Sequence, residues 1–164
     1  MKSDTLLIRL IQPEDNSQVA SIIREVLPGT GAPLEGTAFA DPSLDDMFET
    51  YNNPLSRYWV IASDDGILGG GGIAPLDGGN PEICELQKMY FLEAVRGLGF
   101  GQKILELALN AARDLGYRQC YLETMPYMKA ALALYHRNGF RLLKQSMGCT
   151  GHTACQVWMI KDLI

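Results

Sequence analysis

The 164 residues are 47% hydrophobic and 20% charged, with 14 Lys and Arg against 19 Asp and Glu, for a net charge of −5. A chain of this length buries roughly 70% of its unfolded surface, so 1–164 reads as a single domain with a full core, and disordered, collagen-like and coiled-coil classes are excluded. No apolar run reaches the ~18 residues of a membrane span, Met1-Lys2-Ser3-Asp4 leads into an alternating segment instead of a secretory signal, and Cys84, Cys120, Cys149 and Cys155 lack a paired framework, so a cytoplasmic protein with reduced thiols is expected.

Residues 5–11 alternate as a first strand. Pro13-Glu14-Asp15 then opens a helix whose acids face the positive end of its dipole. Val19, Ile22, Ile23 and Val26 form its apolar stripe, and Pro28-Gly29 stops it. A Gly/Pro/Ala-rich loop follows to Pro42, of a length that is often functional. Next comes a short helix from Ser43 to about Tyr51, with Ser43 as its cap and Asp45-Asp46 in its first turn.

The charge is concentrated in this region. Between Arg24 and Arg57 lie Glu25, Glu35, Asp41, Asp45, Asp46 and Glu49 and no basic residue, against 13 acidic and 14 basic residues elsewhere. That imbalance disfavours nucleic acid and anionic membranes as partners. A solvated acidic face is the simplest account of it.

Residues 58–63 and 67–76 read as a hairpin across Asp64-Asp65-Gly66. Gly69-Gly70-Gly71-Gly72 in its second strand marks a bulge or a close backbone approach. A strand at 82–92 precedes the longest helix, 99–115, which Gly116 ends. A strand at 118–124, a helix at 126–138 and strands at 140–147 and 154–161 complete the order β-α-α-β-β-β-α-β-α-β-β.

The stretch with most chemical content is Arg96-Gly97-Leu98-Gly99-Phe100-Gly101, between a strand and the longest helix. A phosphate loop of the Walker type needs Gly-Lys followed by Ser or Thr, and here Gln102-Lys103-Ile104 follows Gly101. A dinucleotide fingerprint starting at Gly97 needs a small residue where Gln102 stands. What survives is a glycine-rich loop whose amides, at a helix N-terminus, can cradle a pyrophosphate, with Arg96 contacting it or pinning the loop. Cys149-x-x-His152-x-x-Cys155 has metal-like spacing but supplies only three ligands, and no metal is expected.

Arg96-x-x-Gly99-x-Gly101, after the strand Glu85-Leu86-Gln87-Lys88-Met89-Tyr90-Phe91, resembles the acyl-CoA-binding motif of the GNAT superfamily of N-acetyltransferases. Ala130-Ala131-Leu132-Ala133-Leu134-Tyr135-His136-Arg137-Asn138-Gly139-Phe140 resembles its second signature, an Ala-rich helix ending in Leu-Tyr and then Gly-Phe. The order and separation of the two match the superfamily along nearly the whole chain.

The resemblance implies an α/β (α+β mixed sheet) fold. Its twisted sheet of about seven strands would be flanked by four helices and splay into a wedge between the strands at 82–92 and 118–124. Acetyl-CoA would lie in that wedge, with pantetheine along Met89, Tyr90 and Phe91 and the pyrophosphate on Arg96, Gly97, Leu98, Gly99, Phe100, Gly101 and Gln102. Gly99 and Gly101 would permit close phosphate approach. Many members carry Asn where Met128 stands, so that cofactor contact is lost or supplied elsewhere.

The implied reaction moves an acetyl group to a primary amine of a small molecule, amino acid or peptide by direct transfer in a ternary complex. Glu85 would be the base, or a strand carboxylate paired with a neighbouring Lys or Arg. Tyr135 would contact the cofactor and protonate the departing thiolate, or pack as an aromatic with its hydroxyl hydrogen-bonded. The hairpin carrying His152 would overhang the acceptor side, and the acidic segment would attract a cationic amine. Lys88, Lys103, Lys129 and Arg137 would meet CoA phosphates or stay solvated. No metal, nucleic acid or membrane partner is expected, and a homodimer is the one assembly considered. A regulatory protein that binds acyl-CoA without turning it over is the alternative.

Overall fold

The computed structural model describes residues 5–31 and 33–164; Met1-Lys2-Ser3-Asp4, read above as leading into the first strand, and Ala32 of the long loop lie outside it. The strands are β1 (Leu7–Leu10), β2 (Arg57–Ser63), β3 (Gly66–Pro75), β4 (Ile83–Phe91), β5 (Gln119–Thr124), β6 (Arg141–Leu143) and β7 (Val157–Asp162). The helices are α1 (Asn16–Gly29), α2 (Met47–Tyr51), α3 (Phe100–Asp114) and α4 (Lys129–Arg137). The strands form one sheet in the order β1-β2-β3-β4-β5-β7-β6, antiparallel except for β4 beside β5. None of the described helices is long and apolar enough to cross a membrane.

Strand alternation divides the core between the two faces of the sheet. Tyr58 and Val60 point to the side covered by Val19, Ile23 and Leu27 of α1 and Met47 and Tyr51 of α2. Trp59 points to the other side, where Leu105, Ala108 and Ala112 of α3 pack with Leu134 and Tyr135 of α4. Each fully buried Leu or Ile there contributes about 1.5–3 kcal/mol.

Two features open the middle of the sheet. The first is the short β4–β5 ladder, which runs only from Ile83↔Gln119 through Cys84↔Cys120 to Glu85↔Tyr121 before the strands part. The second is a bulge. The β3–β4 register shifts between Gly70 and Gly72, and Lys88 takes a left-handed φ of 48°. The glycines make room for Tyr58: a β-carbon on Gly70 or Gly72 would lie 2.7 Å from its ring. The ring therefore lies flat over β3 and donates its hydroxyl to the Lys88 carbonyl at 2.7 Å, gripping the bulge.

Four predicted elements are redrawn. The helix expected over 43–51 breaks at Asp46 (φ −124°, ψ 43°) into a 3-10 turn, Pro42–Asp45, and α2. Ser43 caps nothing; the Asn16 side chain accepts from the Phe48 amide instead. The helix expected from 126 starts at Lys129, because Met128 is not helical (ψ 67°). The strands expected at 140–147 and 154–161 shrink to β6 and β7, leaving a loop at 144–156 whose amides pair elsewhere. Met147 donates to the Tyr121 hydroxyl, Cys149 to the Asp77 carbonyl and Ala154 to the Gly36 carbonyl.

Candidate active site

Where β4 and β5 part, a pocket forms whose lining includes Glu85, Met89, Glu123, Met128, Tyr135 and His152. Glu85 is the last β4 residue paired with β5 and is 4% exposed. Gln87 Nε2 donates to its Oε1 at 2.5 Å, and the Tyr51 hydroxyl donates to Gln87 Oε1 at 2.7 Å, so a chain of hydrogen bonds from α2 holds the carboxyl in place. Burial, and secondarily the charge of Glu123, outweigh Gln87, His152 and Lys88 and push the Glu85 carboxyl up to about 7. Among the described residues Glu85 has no ion-pair partner, so a strand carboxylate matched to Lys or Arg is not what the fold makes of it.

The neighbouring charges are arranged around Asp41, from the long acidic segment. Its carboxylate receives Lys88 Nζ at 3.0 Å and lies 2.8 and 3.0 Å from His152 Nε2. Burial alone would raise Asp41, but the hydrogen bond to His152 and the charge of Lys88 hold it below the usual carboxylate range. Burial opposes the His152 cation, and the hydrogen bond to Asp41 overrides it and raises the imidazole. Lys88, with a side chain only 6% exposed, is therefore neither solvated nor a phosphate contact. On β5, Glu123 accepts from the Tyr121 hydroxyl at 2.8 Å and from the Thr150 hydroxyl. His152 lines the pocket from the 144–156 loop, whereas Cys149 is exposed and Cys155 buried, and the three do not gather as ligands.

Tyr135 reaches the pocket from the last turn of α4, 7% exposed and edge-on to Phe140 at 5.8 Å. Its hydroxyl makes no hydrogen bond among the described residues, yet it is not sealed off, since no fully buried side-chain polar atom there lacks a partner. Burial pushes the phenol above its ordinary range.

Beyond Glu85 the β5-facing edge of β4 is unpaired; Met89 and Tyr90 line the pocket there, and Phe91 follows beside Gly69. Arg96 pins the loop, its Nε donating to the Phe91 carbonyl at 3.0 Å. Gly97 and Gly99 hold left-handed φ values of 74° and 86°, and Leu98 between them is exposed. The first intrahelical bond runs from the Lys103 amide to Gly99, so the amides of Phe100, Gly101 and Gln102 have no helical acceptor. Gln102 also ties α3 to α4 through two side-chain hydrogen bonds with Asn138. Gly101 is helical, and a β-carbon there would press on Leu134 at 3.3 Å.

The sequence profile of the Acetyltransferase (GNAT) family matches residues 23–140. The chain belongs to the GNAT family. Over 158 residues it is 43% identical to an Escherichia coli protein named as an uncharacterized N-acetyltransferase, YjgM, covering 96% of this chain and 95% of that one. Human N-acetyltransferase 8 is 30% identical, over 69% of this GNAT chain and 53% of its own length. In fold, a GNAT acetyltransferase from Staphylococcus aureus Mu50 superposes with a TM-score of 0.82 at 20% identity, covering 98% of this chain and 100% of the other. This GNAT protein is an acyltransferase of the N-acetyltransferase type. Its sequence signals led to Glu85, Tyr135 and the glycine loop. Asp41 and Glu123 carried no motif; the one hint of Glu123 was an acid on the strand expected to border the wedge.

Proposed function

We propose that the protein moves an acetyl group from acetyl-CoA to a primary amine of a small molecule, amino acid or peptide, by direct transfer with both substrates bound. The observation that carries this reading is that Glu85 of β4 and Tyr135 of α4 line one pocket at the fork of β4 and β5. A fold neighbour from Salmonella typhimurium, 18% identical with a TM-score of 0.78, was solved with its cofactor acetyl-CoA. The residues here fit such a ligand. The free β4 edge at Met89–Phe91 matches the amides of pantetheine, and the amides from Arg96 to Gln102 suit a pyrophosphate at a helix N-terminus. A Met at 128 offers no amide contact of the kind Asn would make.

Bound acetyl-CoA supplies an activated thioester carbonyl. Glu85 takes a proton from the acceptor ammonium, whose pKa near 10 otherwise keeps it unreactive at neutral pH. The nitrogen then forms the new C–N bond as the C–S bond breaks. Tyr135 gives its proton to the departing sulfur, and the second nitrogen proton restores the hydroxyl. The reading needs no metal, nucleic acid or membrane. It is compatible with the cytoplasm, where four free cysteines stay reduced.

Acetyl-CoA should raise the Tm by binding the native state and should be consumed with at least one member of a panel of amines, amino acids and peptides. Stabilisation by ATP or NAD but not acetyl-CoA would overturn the reading. Tight acetyl-CoA binding with no acceptor turned over would favour an acyl-CoA-binding regulatory protein.

A further inference from the structure

Glu85, Glu123 and His152 come from β4, β5 and the 144–156 loop, and one ligand atom of each lies within 4.8 Å of the others. His152 of this cluster and the neighbouring Lys88 are already engaged. Lys88 and His152 both turn to Asp41, so neither Glu85 nor Glu123 has an ion-pair partner among the described residues. The pocket therefore holds a pair of carboxylates that no described residue engages as an ion pair. Their spacing is one that an ammonium bridges with charge-assisted hydrogen bonds of about 2.7–2.9 Å.

The two carboxylates are held differently, which divides the work between them. Glu123 is only partly covered, and the hydroxyls of Tyr121 and Thr150 fix its orientation. Glu85 is nearly sealed and suited to exchanging a proton near neutral pH.

We infer that Glu123 anchors the acceptor as an ammonium: R–NH3+ lies between Glu123 and Glu85, is held by Glu123, and hands one N–H proton to Glu85. The inference rests on the acetyl-transfer reading above. The step balances as R–NH3+ plus the Glu85 carboxylate giving R–NH2 plus the Glu85 carboxylic acid, which later returns its proton to solvent. It also narrows the acceptor class. An aliphatic amine, protonated near pH 7, satisfies the pair of carboxylates, whereas an arylamine, neutral there, leaves Glu123 without a counter-charge. The titratable groups coupled by charge to Glu85 are Lys88 on β4; Cys120, Tyr121 and Glu123 on β5; His152 and Cys155 from the loop; and Tyr51 on α2. Of these, Glu123 is the neighbouring carboxylate.

The test uses the full chain, acetyl-CoA and the aliphatic amine of highest kcat/KM in the panel. Glu123→Gln should raise the acceptor KM about 10- to 100-fold, the size of one charge-assisted hydrogen bond. It should leave kcat and acetyl-CoA affinity far less changed and move the kcat inflection to lower pH, because the like charge beside Glu85 is gone. Thr150→Val keeps the carboxylate but releases the loop, and should cost much less. An unchanged acceptor KM in Glu123→Gln, or an equal effect of Thr150→Val, would overturn the anchor while leaving acetyl transfer intact. Should Glu123→Gln fail to fold, wild-type enzyme decides: propylamine should be acetylated with a far lower KM than aniline, and comparable values would overturn the inference. Tight acetyl-CoA binding with no acceptor at all would overturn the acetyl-transfer reading itself.

Discussion

Tyr135 is suited to its proposed part by staying protonated. Burial holds its phenol above the ordinary range, so at neutral pH it keeps its proton until negative charge builds on a departing sulfur. Its hydroxyl has no hydrogen-bond partner among the described residues to lose. Tyr135→Phe should therefore lower kcat by roughly 10²-fold while calorimetry finds acetyl-CoA affinity little changed; an unchanged kcat would remove the proton-donor role. At this scale the sequence was a partial guide. Glu85 and Tyr135 stand at fixed spacings from recognisable motifs. Asp41 does not: it meets His152 across 111 residues, through two loops whose conformations no local pattern specifies. Lys88 was misread for the same reason, since only the tertiary fold brings Asp41 to it.

Among the elements, the loop into α3 separates two glycines that look alike in sequence. Gly99 sits in the left-handed region, where an L side chain costs roughly 1–2 kcal/mol. Gly101 is helical, and a β-carbon there meets the tip of Leu134. Gly99→Ala should thus weaken acetyl-CoA binding about tenfold, the equivalent of about 1.4 kcal/mol, by disturbing the amides of the cradle. Gly101→Ala should act on α3–α4 packing and leave binding largely intact. Titration calorimetry and a thermal melt separate the two, and equal losses of affinity would return Gly101 to the phosphate site. Helical and strand periodicity made α1, α3 and β2 to β5 legible because their buried faces repeat along the chain. The 43–51 helix and the closing hairpin were drawn too long because their backbone partners, Asn16, Asp77, Gly36 and Tyr121, lie far away in sequence.

For the molecule as a whole, the acidic segment turns out to have several fates. Asp45 pairs with Arg24 on the surface, and Glu49 accepts from Asn16; solvent screens an exposed pair of this kind, so it adds little to stability. Asp41 turns inward and engages Lys88 and His152, leaving Glu85 and Glu123 without an ion-pair partner among the described residues.

The same closure defines Glu85. α2 supplies Tyr51, the 144–156 loop supplies His152, and β5 supplies Glu123, so the carboxyl is desolvated by segments that meet only in the folded chain. Its folded value of about 7 lies above the ordinary 4.5, so the active carboxylate gains population as pH rises through neutrality. The pH dependence of kcat is the most direct measurement of the central claim. Wild-type enzyme should gain rate up to about pH 7 and level off above it, and Glu85→Gln should be slower and lose that inflection. Superimposable profiles for the two would contradict Glu85 as the base.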